Sequence, residues 1–349
     1  MPFTPRFLTT HLGSIPHTDS VEICDHLIKT LDVPAWPQMS RRTFRENMYV
    51  QFSASLPAIV TDETKQKVYF NTQGDISSAL ESFYEHYLAN DLNAFALKPA
   101  YASGFFNMLE AMRRIPGEWA KGQVTGPISF GLTVTDQDLR ASLYNDQIAD
   151  VIVKNTAMIA RWQVRQLRAV RSNVILFVDE PYMASFGSAF ISLTRGQVID
   201  MLNEVFDAIH AEGALAGVHC CANTDWSVLL ATKVDILNLD AYGYIENLAL
   251  YPTEMRAFLD RGGVIAWGIV PNNKEIYDIT PEGIAYRLNA GFTLIHDKAQ
   301  ARGVTIIPEE FATRSLVAPS CGLGPTTTEI ADRVFDVLTK TGQILKKTS

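Results

Sequence analysis

Short apolar runs rich in β-branched residues alternate along the chain with longer stretches whose apolar residues recur every three or four positions. The first pattern predicts buried strands and the second amphipathic helices. Strands are expected at Phe7–Gly13, Ala94–Lys98, Ala120–Thr125, Val174–Val178, Leu215–His219, Val234–Leu239, Val264–Trp267 and Val317–Ser320, with a further short run at Val304–Ile307. Between them, Thr194–Ala211 places Val198, Leu202, Val205 and Ile209 on one helical face. Asp138–Arg171 and Pro281–Arg302 also read as long helices. Thr326-Thr327-Thr328-Glu329 has capping-box spacing and leads into Ile330, Val334, Val337 and Leu338 at helical intervals.

This rhythm of about eight βα units predicts an α/β protein with a parallel sheet. At 349 residues, without a linker rich in Pro, Gly or Ser, the expectation is one domain, 1–349, built as a single (β/α)8 TIM barrel. The stretch 32–74 reads as an insertion over the barrel mouth. A doubly wound open sheet is the competing fold. It is disfavoured by the lack of a glycine-rich phosphate loop after the first strand.

Composition narrows the function classes. The chain is 47% hydrophobic and 19% charged, as a globular protein should be. Its formal charge of −8 argues against a general nucleic-acid binder. No apolar run approaches the ~20 residues that span a bilayer. The N-terminus lacks signal-peptide character, so a cytoplasmic location is expected. Four cysteines, two of them adjacent, are too few for a disulfide scaffold.

In a barrel of this kind, chemistry collects at the C-terminal ends of the strands. Those ends carry Gly13-Ser14, Thr125-Gly126-Pro127, Asp179-Glu180-Pro181, His219-Cys220-Cys221, Asp240 and Ser320-Cys321-Gly322. Residues two apart on a strand point the same way, so His219 and Cys221 can converge on one ion. Barrel closure brings Cys321 to the same mouth. An imidazole and two thiolates suit Zn2+, with Asp240 or Glu180 available as an oxygen ligand. Cys220 faces away, and Cys24 lies on a helical core face. Asp179 is a candidate clamp for a substrate amine. Gly13-Ser14 could offer backbone N–H groups to a carboxylate.

These motifs, together with Thr9-Thr10-His11-Leu12-Gly13-Ser14-Ile15-Pro16 and Asp235-Ile236-Leu237-Asn238-Leu239-Asp240, occur in one order over nearly the whole chain. In that order the chain resembles the catalytic barrel of cobalamin-independent methionine synthase and its uroporphyrinogen-decarboxylase-like relatives, the zinc methyltransferases. The resemblance implies a TIM barrel with zinc on His219, Cys221 and Cys321, and with Asp240 at the family's acidic ligand position. It implies that Gly13 and Ser14 receive the homocysteine carboxylate and that Asp179 holds its amine. The family's second amine contact, a Glu, falls at Val50, with Glu46 nearby. The second, N-terminal barrel of the synthase is absent, and so is its late catalytic His, where Gly268-Ile269-Val270-Pro271-Asn272-Asn273 stands.

Loss of that His bears on the methyl donor. A methylfolate leaves as a poor amine and benefits from a general acid, whereas a methylated corrinoid leaves as Co(I) and needs no proton. The expected activity is therefore methyl transfer from methylcobalamin or a methylated corrinoid protein to a small thiol, with homocysteine giving methionine. Alternatives are methylation of coenzyme M or another small thiol, a decarboxylase acting on a tetrapyrrole through Arg41, Arg42 and Arg45, or a corrinoid-binding partner module without turnover.

Overall fold

A computed structural model describes residues 3–189 and 191–348. Seven parallel strands form one curled sheet. They are β1 (Leu8–Thr9), β4 (Trp119–Thr125), β5 (Asn173–Asp179), β6 (Leu215–Cys220), β7 (Ile236–Leu239), β8 (Val264–Val270) and β9 (Ser315–Pro319). Their order is β1-β9-β8-β7-β6-β5-β4. The antiparallel pair β2 (Ile59–Asp62) and β3 (Lys67–Phe70) stands apart from them.

Seven helices matter below. They are α1 (Ser20–Thr30), α2 (Pro127–Thr133), α3 (Asp146–Arg168), α4 (Arg195–Ala211), α5 (Ala241–Leu248), α6 (Pro281–Gln300) and α7 (Thr328–Thr348). Among the described residues, no helix is long and apolar enough to cross a membrane.

Period-two alternation on the strands separates two cores. Ile175, Phe177, Ile236, Val264, Ala266, Leu316 and Ala318 pack together inside the curl. Their neighbours Val174, Leu176, Val178, Leu237, Ile265 and Val317 face outward and join the helices in a larger cluster. A sheet buried on both faces needs such continuous apolar strands.

The space between β1 and β4 is filled by residues 33–38. Val33 N–H donates to Thr9 O at 3.0 Å, and Gln38 N–H donates to Gly13 O at 2.9 Å. On the other side Trp36 N–H reaches Lys121 O at 3.2 Å, and Lys121 N–H reaches Pro34 O at 3.0 Å. Pro34 and Pro37 lack the N–H groups a regular strand would use, so the segment is irregular. The expected insertion thus begins inside the sheet layer; only its later part, with the hairpin β2–β3, is an excursion.

Four other expectations are corrected. Ala94–Lys98 is not a strand; Leu92–Phe95 is a short 3-10 helix capped by Asp91, with Phe95 buried. Val304–Ile307 forms no strand, following the left-handed Gly303 at the end of α6. The helix expected from Asp138 begins at Asp146, where the Asn145 side chain accepts from Gln147 N and Ile148 N. Helix α4 opens on a full capping box between Thr194 and Gln197, which the sequence analysis did not single out. Strand β1 is shorter than Phe7–Gly13; past Thr9 the pairing breaks into isolated contacts, with Thr10 bridging Val33 and donating its N–H to Val317 O at 2.9 Å, and Gly13 O accepting from Gln38 N.

Candidate metal and thiol site

His219 is an inward residue of β6, and Cys221 follows just past the strand end. Cys321 follows β9. The curl of the sheet brings all three together, with their ligand atoms within 4.8 Å of one another. The Cys321 Sγ–His219 Nε2 distance is 3.9 Å.

The imidazole is held by a residue that the sequence analysis did not single out as functional. Asn238 Nδ2 donates to Ala266 O at 2.6 Å, which turns its Oδ1 toward His219 Nδ1 at 2.5 Å. The proton therefore sits on Nδ1, and the Nε2 lone pair faces the two sulfurs. Asn238 lies on the inward face of β7, two residues before Asp240; a polar residue at an inward position of an apolar strand was the available signal.

The thiols ionise as a pair. The hydrogen bond to Cys321 lowers the Cys221 pKa and outweighs burial, with further help from His219. The same contact raises that of Cys321, and burial adds to it. Burial lowers the His219 pKa, but Cys221, Asp179 and Asn238 outweigh it and leave it raised. One thiolate is thus readily formed and the second is costly unless a cation shares the site. Two sulfurs and an imidazole nitrogen with its lone pair directed at them match the donor preference of Zn2+.

Truncating the positioning amide tests this reading. Asn238→Ala is expected to weaken Zn2+ binding by about 10–100-fold, the usual cost of losing such a partner. Chelator competition would check it; unchanged affinity would mean that the imidazole needs no positioning.

A cavity of about 460 Å³ opens over the cluster, and Ser14, Arg41, Asp179, His219, Cys221 and Cys321 all line it. A larger hollow of about 1060 Å³ lies at the other end of the strands, among Phe3, Trp119, Asn173 and Leu215. Its lining holds no thiol or imidazole, so the smaller cavity is the candidate site.

The remaining expected site residues fall in different places. Gly13 adopts φ +109°, and a Cβ there would stand 2.5 Å from the Gln123 side chain, so only glycine fits. The Gly13 N–H donates to Nδ1 of buried His11, whose Nε2–H reaches Ala35 O at 3.0 Å. Burial and Lys121 lower the His11 pKa to about 3, so this histidine is a neutral brace for the turn. Asp240 lies outside the three-atom cluster; it caps α5 by accepting from Gly243 N at 2.8 Å. Glu46 is buried, pairs with Arg42 at 2.8 Å, accepts from Ser103 Oγ, and does not line the cavity. Cys220 and Cys24 are buried in the core, as expected.

Asp179 and Glu180 part company. Asp179 faces the cavity; burial raises its pKa to about 6 against the pull of His219 and Lys121. Its buried Oδ1 has no hydrogen-bond partner. Glu180 points instead at the start of α2, accepting from Ile128 N, Ser129 N and Ser129 Oγ at 3.0, 2.7 and 2.6 Å. Of the three arginines Arg41, Arg42 and Arg45, the latter two pair with Glu46 and Glu63. That leaves little for a tetrapyrrole's many carboxylates.

Lys121 was not anticipated. It is an inward residue of β4, fully buried, with Nζ 4.1 Å from the Phe177 ring centroid and no hydrogen-bond partner. Burial lowers its pKa to about 8, with Asp179 opposing. The folded chain therefore binds fewer protons than the unfolded chain between about pH 8 and 10.5, and stability should rise with pH across that window. Relative to Lys121→Met, the wild type should gain up to about 3 kcal/mol over the window. Denaturant titrations of both proteins would check this. A difference that stays flat with pH would show that the amine is solvated.

No protein-family profile matches the chain, and no curated protein is significantly similar to it. Solved structures are similar in fold. One is a B12-independent methionine synthase from Shewanella sp. W3-18-1 in complex with selenomethionine: TM-score 0.58, 15% identity, 98% of each chain covered. Another is a GH20 catalytic module of the pneumococcal exo-β-D-N-acetylglucosaminidase StrH: TM-score 0.51, 9% identity, covering 96% of this chain and 84% of that one. At these identities the likeness is one of fold.

Proposed function

We propose that the protein is a zinc-dependent methyltransferase whose acceptor is a small thiol, homocysteine being the leading candidate and methionine its product. The observation that carries this is the convergence of His219, Cys221 and Cys321 in one cavity at the C-terminal ends of the strands. A fold shared with a methionine synthase supports it. We take residues 33–38 as the eighth strand of a closed (β/α)8 barrel forming one catalytic domain.

His219, Cys221 and Cys321 would hold the ion, with Asp240 as the acidic ligand once its cap to α5 yields. Bound there, zinc would keep an incoming thiol deprotonated at neutral pH. The chain's own residues do the rest. Asn238 holds the His219 ring in its working tautomer. The Gly13 turn brings Ser14 to the cavity wall. Asp179 presents a buried carboxylate beside the sulfur site.

The methyl donor in this reading is methylcobalamin or a methylated corrinoid protein. The acceptor sulfur forms its bond to the methyl carbon, the Co–C bond breaks, and cobalt keeps the electron pair. No general acid is required, in keeping with Asn272 and Asn273 where an acid would otherwise stand. Asn272 is engaged structurally, donating to Gly322 O at 3.1 Å.

The deciding experiment incubates zinc-loaded protein with methylcobalamin and homocysteine, following the cobalamin spectrum and methionine together. Methionine formation that vanishes in Cys221→Ala supports the reading. Full turnover without metal would sink the role assigned to zinc.

A further inference from the structure

The charges around the cavity bear on which thiol it takes. Arg41 lines the cavity, and its Nη2 donates only to the Pro325 carbonyl, at 3.0 Å. Among the described residues no carboxylate pairs with Arg41, whereas Arg42 and Arg45 are paired with Glu46 and Glu63. The hydroxyl-bearing Ser14 and Ser40 line the same cavity. A guanidinium with an unanswered charge beside two hydroxyls is suited to a carboxylate or sulfonate.

An ammonium is served much less well. It needs a carboxylate whose charge is not already compensated. Glu46 is compensated by Arg42 and lies outside the cavity lining. Asp179 does line the cavity, but the ammonium of Lys121, seated 4.1 Å from the centre of the Phe177 ring two residues before it on the same inward face, acts on it from within the barrel. Lys121 has no hydrogen-bond partner of its own to absorb that charge. In such a low-dielectric interior the two charges are felt strongly.

We infer that the acceptor is an anionic thiol, recognised through its acid group by Arg41, and that an α-amine adds little to its binding. This rests on the thiol-binding reading of the cavity. It separates mercapto acids from aminothiols as substrate classes, and homocysteine is accepted for its carboxylate.

Calorimetric titration of the zinc-loaded full chain tests this without turnover. Three thiols differ only in the groups at issue: homocysteine, 4-mercaptobutanoate without the amine, and 3-mercaptopropylamine without the carboxylate. The acid without the amine should bind within about threefold of homocysteine, and the amine without the acid about tenfold or more weaker. Arg41→Met, at an exposed position, should weaken both acids about tenfold and leave 3-mercaptopropylamine unchanged. Lys121→Met should strengthen 3-mercaptopropylamine several-fold by freeing Asp179. Equal binding of all three thiols, or acids indifferent to Arg41→Met, would overturn the inference while leaving a thiol site. An aminothiol indifferent to Lys121→Met would overturn the part assigned to the amine. Failure of every thiol to bind would overturn the thiol reading and this inference together.

Discussion

Cys321→Ser should weaken Zn2+ binding by about 10²–10³-fold, since one ligand of four carries roughly a quarter of the ~10–16 kcal/mol of a structural zinc site. The serine hydroxyl keeps the volume but is a far poorer ligand at neutral pH. Its loss also changes the remaining thiol. The Cys221 pKa is lowered first by its hydrogen bond to Cys321 and then, after burial has opposed this, by His219. With a hydroxyl in place of the sulfur, only one thiolate and one imidazole of the three clustered donors remain. Chelator competition would read the affinity, and metal analysis after dialysis the stoichiometry. A variant that retains one tightly bound zinc per chain would move the site away from β9 altogether.

The second large effect concerns stability. Glu180→Ala should cost about 3–6 kcal/mol, because three buried donors lose their acceptor and each unpaired group costs about 1–2 kcal/mol. The donors belong to the first turn of α2, whose Pro127 opens the helix and leaves Ile128 and Ser129 N–H groups without intrahelical partners. A carboxylate from the end of β5 satisfies them across the gap between neighbouring strands. Gly126 is required beside it, since a Cβ there would lie 2.1 Å from Glu180 Oε1. Burial still dominates and raises the Glu180 pKa to about 7. Urea unfolding would measure the loss. A cost below about 1 kcal/mol would mean that water replaces the carboxylate at the helix start.

That pair of predictions shows how legible the chain was. Asp179 and Glu180 are adjacent in sequence and both fall at a strand end, but alternation sends one into the cavity and the other to α2. The sequence marked the position; only the start of α2, lying within reach of the Glu180 carboxylate, decided the role. The His219, Cys221 and Cys321 cluster was readable because period two and strand-end placement suffice to bring it together. Residues 33–38 were not readable as part of the sheet layer, since Pro34 and Pro37 erase the strand pattern. Ala94–Lys98 misled in the opposite sense, its apolar residues serving helix packing through a 3-10 turn. Lys121 escaped because a lysine in an apolar strand ordinarily marks an exposed face, and here the face turns inward.

The pairing of β1 with β9 has a consequence for the order in which this protein can be completed. Leu8 sits opposite Leu316, and Cys321 lies 102 residues beyond His219. During synthesis His219 and Cys221 emerge as a bare two-ligand fragment, long before the third donor exists. Such a fragment holds zinc weakly, because most of the binding free energy of a site comes from a complete, folded ligand set. On the zinc reading the metal would therefore be captured late, by a chain in which β9 has already joined β1. A ribosome-bound nascent chain stalled before Cys321 should leave zinc with the cell's other ligands.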